Sequence, residues 1–469
     1  MDKGKMDTAQ HLRMHHTQTL WMYWMLVILG CWLVLMPATF SYEKGLTGIN
    51  ESRQLWLDLP QRVAACKWSD RISGVLLILF GSRSIKPDRP LSLWLCCLTG
   101  VWLNVAPLLF WAPSAMIYVN DTLVGVLVIS LSVLMPGMPN MMAFMKMGSE
   151  VPAGWSYNPS SWDQRWIMIF LGFAGWMVSR YLGAWQLGFI DKAWDPFFGD
   201  ETEHVLNSSM SRGWPISDGA LGALAYTFEF LMGWMGGPAR WRTMPWMVTF
   251  FGILVIPLGL VHIILVMSQP VAVGAWCTLC LLAAAIMLPM LPLEVDEVVA
   301  MGQHMVQATR KGEPFWRVFW LGGQPAEQNE DDRSPEIVSF PEQPWKVIRA
   351  SAWGMSVPGT LAFAAVLGLL LLFAPGFWHM PISSMAAHIF HITGAFVVVC
   401  SVVSMGEVVR VLRYLNWLAA LSVAILPWFF GAGVNPGITG SIIGMLIGLS
   451  SIPRGRITET YGLWQKYIR

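Results

Sequence analysis

The chain has 469 residues, 55% of them hydrophobic and 13% charged, with a mean hydropathy of +0.51. A soluble domain carries about 25% charged residues, so this composition excludes disorder and a water-soluble enzyme and points to an all-α polytopic membrane protein. Thirty Lys and Arg against 29 Asp and Glu leave a net charge of +1, which provides no basic field to hold nucleic acid. Seven cysteines are too few for a disulfide scaffold at this length.

A helix needs about 20 mostly apolar residues to cross the hydrocarbon core. By that rule twelve spans are expected, at 20–41, 69–83, 91–111, 117–136, 164–189, 216–236, 244–268, 273–292, 353–375, 383–405, 411–430 and 436–452. The first follows a basic segment with Lys3, Lys5 and Arg13 and lacks a small-x-small cleavage site, so it reads as an uncleaved span. With the N-terminus in the cytoplasm, most basic residues fall on inner segments, among them Arg83, Lys86, Arg89, Lys146, Arg240, Arg242, Arg410, Arg413 and Arg469. Seven, including Lys44, Arg53 and Lys192, stay outside. That bias predicts an inner-membrane protein with both termini cytoplasmic. The turn at 269–276 then lies outside, with Cys277 and Cys280 at the outer end of the eighth span.

The outer loop 191–215 carries Asp191, Asp195, Asp200, Glu201 and Glu203. The inner segment 293–352 opens with helical character from Glu294 to Lys311, and Pro325–Pro344, rich in Asp, Glu and Pro, reads as a linker.

Four spans share a spacing: Gly30 to Pro37, Gly100 to Pro107, Gly368 to Pro375 and Ala420 to Pro427, followed by Phe40, Phe110, Phe377 and Trp428. The next spans open with Trp68-Ser-Asp70 before Gly74, Val119-Asn-Asp121 before Gly125 and Val434-Asn-Pro436 before Gly440; the third copy keeps only Gly394. Small residues permit close helix contact in a membrane, and a proline near a helix end loses little hydrogen bonding. The plainer reading is that any proline-ended span looks like this. These blocks resemble the SPW-repeat membrane domain over 20–136 and 353–452, which implies helix hairpins and little chemistry.

Gly274-Ala-Trp276-Cys277-Thr-Leu-Cys280 opens an apolar helix. Residues three apart share a helix face, so the sulfurs can meet, and the helix N-terminus favours a thiolate at Cys277. Two small buried hydrophobes would look the same. A zinc site is the weaker reading, because no second C-x-x-C or H-x-x-x-H faces this one. Cys31, Cys66, Cys96, Cys97 and Cys400 have no partner at redox spacing.

Upstream stand Val205-Leu-Asn-Ser208, Gly213-Trp-Pro215, Asp218, Gly222 and Tyr226. With the C-x-x-C opening a fourth helix, the block 164–292 resembles the vitamin K epoxide reductase family. The resemblance implies a four-helix bundle holding a membrane quinone (ubiquinone or menaquinone) at its outer end, and a thiol–disulfide oxidoreductase addressed by a thioredoxin-like extracytoplasmic protein. It assigns Cys280 to the quinone side, Cys277 to exchange with an external thiol, Ser208 to the loop hydroxyl near the redox site and Asp218 to a polar quinone-side position. Family members usually carry a loop cysteine pair. Here 191–215 has none, Thr202 stands where the nearer would be, and Ala284 stands where some members have tyrosine. Cys66, in another outer loop, is a weak substitute.

Further candidates are His262 as a quinone hydrogen-bond donor and Trp276 as a pocket wall, beside the interfacial Trp185, Trp194 and Trp214. Arg180 and Glu229 read first as an ion pair fixing two helices and second as a proton relay. His11, His15 and His16 lack ligand-spaced partners, so no metal site is expected. The expected organisation is 1–140 repeat hairpins, 160–295 the reductase-like bundle, 296–350 a cytoplasmic helix and linker, and 351–455 further hairpins. The rival reading is a non-catalytic quinone- or lipid-binding or assembly scaffold. A transporter would need paired broken helices about a charged midplane site, which the sequence lacks.

Overall fold

The computed structural model describes residues 14–40, 42, 55–87, 89–135, 150–324, 329–335 and 342–468. Lys3, Lys5, His11, Arg13, Lys44, Arg53, Lys146, Arg469, the outermost residues of spans 20–41 and 117–136 and parts of the linker Pro325–Pro344 lie outside the described residues.

Among the described residues the chain is all-α, without strands. Twelve principal helices coincide with the expected spans: α1 Leu20–Thr39, α2 Leu59–Ser84, α3 Pro90–Leu109, α4 Ala115–Leu134, α5 Trp162–Gln186, α6 Asp218–Trp234, α7 Pro245–Val273, α8 Thr278–Arg310, α9 Gly359–Phe377, α10 Met385–Val403, α11 Asn416–Phe429 and α12 Val434–Ser450. Nine are long and apolar enough to cross a membrane by themselves or, for α11, with the preceding turn Glu407–Leu415. The remaining three, α2, α6 and α12, are shorter or more polar. This is a multi-pass membrane protein.

Contacts divide the chain into two units: Met1–Lys146, Trp176–Trp194 and Ser211–Gly236 form one, and Met147–Gly175, Asp195–Met210 and Gly237–Arg469 the other.

In the first unit, α1 and α2 form one hairpin and α3 and α4 another. A Cβ built on Gly30 would stand 2.7 Å from the carbonyl of Gly74, and one on Gly100 2.8 Å from that of Gly125, so each pair of backbones touches directly. The second unit repeats the device: a Cβ on Gly368 would lie 2.8 Å from the carbonyl of Gly394. In the last hairpin Ala420 replaces the glycine, and its carbonyl is met by Gly444, one turn beyond the expected Gly440, which instead approaches Val423.

The proline-ended helices also close alike. Four residues after Pro107, Pro375 and Pro427, the backbone turns left-handed at Trp111 (φ 49°), His379 (φ 48°) and Gly431 (φ 69°). In each, the next N–H returns to the proline carbonyl: Ala112 at 2.8 Å, Met380 at 2.9 Å and Ala432 at 3.0 Å. This is a helix C-cap that satisfies a terminal carbonyl. Two of the three use a bulky residue where glycine is usual.

Polar content separates the repeats. Asp70 and Asp121, each four residues before its crossing glycine, are fully buried in the first unit. The Tyr42 hydroxyl donates to Asp70, and Asn120 Nδ2 donates to Asp121 at 3.1 Å. Burial and the adjacent Asp70 carboxylate push the Tyr42 phenol far above its ordinary value. Cys66 is a buried free thiol within α2, so it is no loop cysteine.

The Arg180–Glu229 bridge does not form. Arg180 donates to Thr122 Oγ1 at 2.9 Å and lies over Tyr118 and Trp176, while neither carboxylate oxygen of buried Glu229 has a hydrogen-bond partner among the described residues. Membership of neighbouring spans does not decide which face of its helix each group presents.

In the second unit, α7 is interrupted by π turns at Leu254–Leu258 and Gln269–Val273, and α8 runs unbroken through the expected span and the helical stretch after Glu294. Arg240 and Arg242, two residues of the charge-bias reading, are buried in ion pairs. Arg240 Nε meets Glu297 at 2.6 Å and Arg242 Nε meets Glu150 at 2.7 Å. Their charge is compensated inside the protein rather than offered to lipid headgroups.

Candidate functional site

The approach to α8 begins at Gln269, where α7 widens into its last π turn. Gly274 then takes φ +75°, a left-handed turn that glycine adopts without steric cost, and its N–H donates to the Gln269 carbonyl at 3.1 Å. The chain reverses and Cys277 becomes the N-cap of α8. Its N–H donates to Gln269 Oε1 at 3.2 Å, and its sulfur accepts the Cys280 N–H at 3.1 Å.

Cys277 and Cys280 are joined as a disulfide, with Cα atoms 5.2 Å apart. Both are buried, at 0% and 8% exposure. The cap conformation of Cys277 brings the two sulfurs onto one side at the positive end of a 33-residue helix.

An acidic clasp closes over this helix start. Asp195 accepts hydrogen bonds from Thr278 Oγ1, from Thr202 Oγ1 at 2.6 Å and from the backbone of Thr202, Phe198 and Phe197. Partial burial raises its pKa, but these donors outweigh that and hold it below the ordinary aspartate value. Thr202 thus lies one carboxylate away from Thr278, the residue after Cys277. Glu201 accepts the Trp276 N–H at 2.8 Å.

Trp276 is the aromatic centre of the site. Phe198 stacks on it with centroids 6.4 Å apart, Phe373 of α9 lies at 6.5 Å, and His391 of α10 meets it edge to face at 5.5 Å. Ile382, between α9 and α10, lies 4.0 Å from the Cβ position of Gly274.

Of the residues singled out in the sequence, Cys277, Cys280 and Trp276 are brought together. Ser208 is half-buried, just after the short helix Glu201–Leu206 that carries Thr202. His262 is half-buried on α7. Asp218 belongs to the first unit, where it accepts from Gln186 and from Ser211 Oγ at 3.0 Å. Sequence reading missed Gln269, Thr278, Phe373 and His391. A pair of histidines, His388 and His391, in a mostly apolar span was the one available signal for the last. Among the described residues no cluster of His, Cys, Asp and Glu could hold a metal ion.

The lining suits a planar ring ligand. Flat ring surfaces stand beside a disulfide, and a buried imidazole nitrogen, His391 Nε2, has no hydrogen-bond partner among the described residues.

Comparison with known proteins places the motif in a family segment. Residues 166–295 match the model of the Vitamin K epoxide reductase family, and residues 52–135 match the SPW repeat domain. Neither a curated protein nor a solved structure matches the chain. The likeness of 353–452 to the SPW block rests on the shared helix crossing and the shared left-handed caps. The chain is thus a multi-pass membrane protein with a segment at 166–295 similar to the vitamin K epoxide reductase family and one at 52–135 similar to the SPW repeat domain.

Proposed function

We propose that this protein is a thiol–disulfide oxidoreductase that couples the Cys277–Cys280 pair to a membrane quinone, ubiquinone or menaquinone. The observation that carries this reading is the disulfide at the N-terminus of α8 inside the family-matched segment. The site is assigned to the extracytoplasmic side of an inner membrane, with both termini cytoplasmic. The charge bias supports that orientation.

A thiolate of a thioredoxin-like partner attacks Cys277 Sγ, the S–S bond breaks, and Cys280 leaves as a thiolate stabilised by the helix N-terminus. The partner's second thiol closes its own disulfide and releases Cys277. Re-forming the Cys277–Cys280 bond delivers two electrons and two protons to the quinone. Trp276 offers the ring surface for the quinone. Ser208 and His262 are assigned to its polar surroundings. The clasp of Asp195 on Thr202 and Thr278 must open for the partner to reach Cys277, because both sulfurs are buried.

That burial, with the absence of cysteine from 191–215, favours the second reading, a scaffold that keeps the fold without turnover. Purified protein supplied with a dithiol and a short-chain quinone distinguishes the two. Quinone reduction by wild type that is abolished in Cys280→Ala supports the enzyme. Identical behaviour of the two proteins supports the scaffold.

A further inference from the structure

His391 is the residue around the disulfide that the reading above leaves without a role. It belongs to α10, in the C-terminal repeat hairpin, far from Cys277 in sequence. Its side chain is only 4% exposed. The Leu372 carbonyl of α9 lies 2.8 Å from Nδ1. A carbonyl accepts, so Nδ1 carries the proton, and in the neutral ring Nε2 is left with a bare lone pair. A buried lone pair without a partner is expensive, yet here Nε2 has none among the described residues. The ring that holds this nitrogen packs edge to face on Trp276, the residue before Cys277. His388 Nε2, three residues earlier on α10, is likewise buried without a partner among the described residues; the ring contact with Trp276 is what sets His391 apart.

We propose that His391 is the proton-transfer residue of the redox site, with Nε2 turned toward the bound quinone; the inference rests on the quinone-linked reading above. Oxidation of the Cys277/Cys280 dithiol breaks two S–H bonds and forms one S–S bond. The two electrons pass to the quinone, and the two protons end on its two oxygens. Nε2 takes up one of those protons from the dithiol side and hands it to one quinone oxygen, so the imidazole ends neutral as it began. The Leu372 carbonyl fixes the tautomer, and α9 and α10 thereby become part of the catalytic centre. The C-terminal hairpin would then complete the site rather than only flank it.

The test uses the full-length protein in detergent with ubiquinone-1, measuring binding of its hydroquinone to the reduced protein by equilibrium dialysis and turnover with dithiothreitol. His391→Phe keeps a ring against Trp276 but offers no nitrogen. It should weaken hydroquinone binding about five- to tenfold for the lost hydrogen bond from the hydroquinone hydroxyl to Nε2 and lower kcat about a hundredfold for the lost proton transfer. His391→Gln can donate to the Leu372 carbonyl and accept from the hydroquinone but cannot shuttle a proton at neutral pH. It should bind hydroquinone within about twofold of wild type while kcat stays about a hundredfold down. Thermal unfolding in detergent, unchanged in both variants, is the folding control. Should His391→Phe fail that control, His391→Gln alone decides. Wild-type turnover with unchanged kcat and hydroquinone affinity in the variants overturns this inference and leaves the function standing. A wild type that neither binds nor reduces quinone overturns both.

Discussion

The N-terminal and C-terminal repeat blocks solve the same backbone problem and fill it with different chemistry. Gly30 on Gly74, Gly100 on Gly125 and Gly368 on Gly394 are the same contact made three times, and Trp111, His379 and Gly431 are the same cap. Four residues before the crossing glycine, however, the N-terminal block buries Asp70 and Asp121, whereas the C-terminal block has Phe390 before Gly394 and Gly440 before Gly444. Phe390 packs with Trp378 at 5.5 Å in a hydrocarbon core. Beside it, His391 turns to Trp276 of the C-x-x-C turn. The backbone device is shared, and the side chains at one helical turn decide what each block can do.

Breaking the chemistry has the largest expected effect. Cys280→Ala should lower quinone-linked turnover by more than about a thousandfold, as loss of a residue that acts as part of a unit does. Equal loss in a variant confined to the N-terminal block, such as Asp70→Asn, would show that the two blocks do not divide the work this way.

The shared backbone is tested by overpacking. Gly30→Ala and Gly368→Ala each force a methyl against a carbonyl less than 3 Å away and should destabilise by up to about 3 kcal/mol. Gly376→Ala, whose Cβ would meet nothing within 4 Å, should be neutral. Thermal unfolding in detergent reads all three, and a neutral Gly368→Ala would remove the equivalence of the blocks.

The different filling is tested by Asp70→Leu. It brings hydrocarbon to the N-terminal block but strands the Tyr42 hydroxyl, at a cost of about 1–2 kcal/mol. Unchanged stability would mean that the carboxylate contributes nothing beyond its volume.

The smallest effect is at the clasp. Hydrogen bonds hold Asp195 below its ordinary value of 3.8, so the stability it contributes is fully present above that value and is lost as pH falls through the depressed one. Disulfide reduction by dithiothreitol should be a few-fold faster in Asp195→Asn at neutral pH, because a neutral amide accepts weaker hydrogen bonds from Thr202 and Thr278 than a carboxylate does. Wild-type opening, followed by fluorescence, should change only in acid, below the ordinary aspartate range.

Much of this was legible in the sequence because membrane helices declare themselves by apolar length. Each of the twelve expected spans overlaps a helix, and among the described residues nine of these are long and apolar enough to cross a membrane; the spacing of small residues and prolines located the crossings to within one turn. What escaped was decided by side-chain direction and by residues distant in the chain. Arg180 and Glu229 lie within neighbouring spans, but that says nothing about the face each presents. α2 begins ten residues before the expected span because Arg62 is satisfied internally by the Trp111 carbonyl, and a hydropathy rule counts it as a reason to stop. At the site, Cys277, Cys280 and Trp276 share one short motif and were readable together. Gln269 and His391 were not, because only the reversal at Gly274 and the packing of α10 bring them there.

A single-turnover experiment bears most directly on the central claim. Reduce the Cys277–Cys280 pair, remove the reductant, add one equivalent of quinone, and count both the hydroquinone formed and the thiols left to alkylate. The account predicts one hydroquinone per protein and the loss of both thiols, since the couple carries two electrons. Thiols that remain free in the presence of quinone would contradict it.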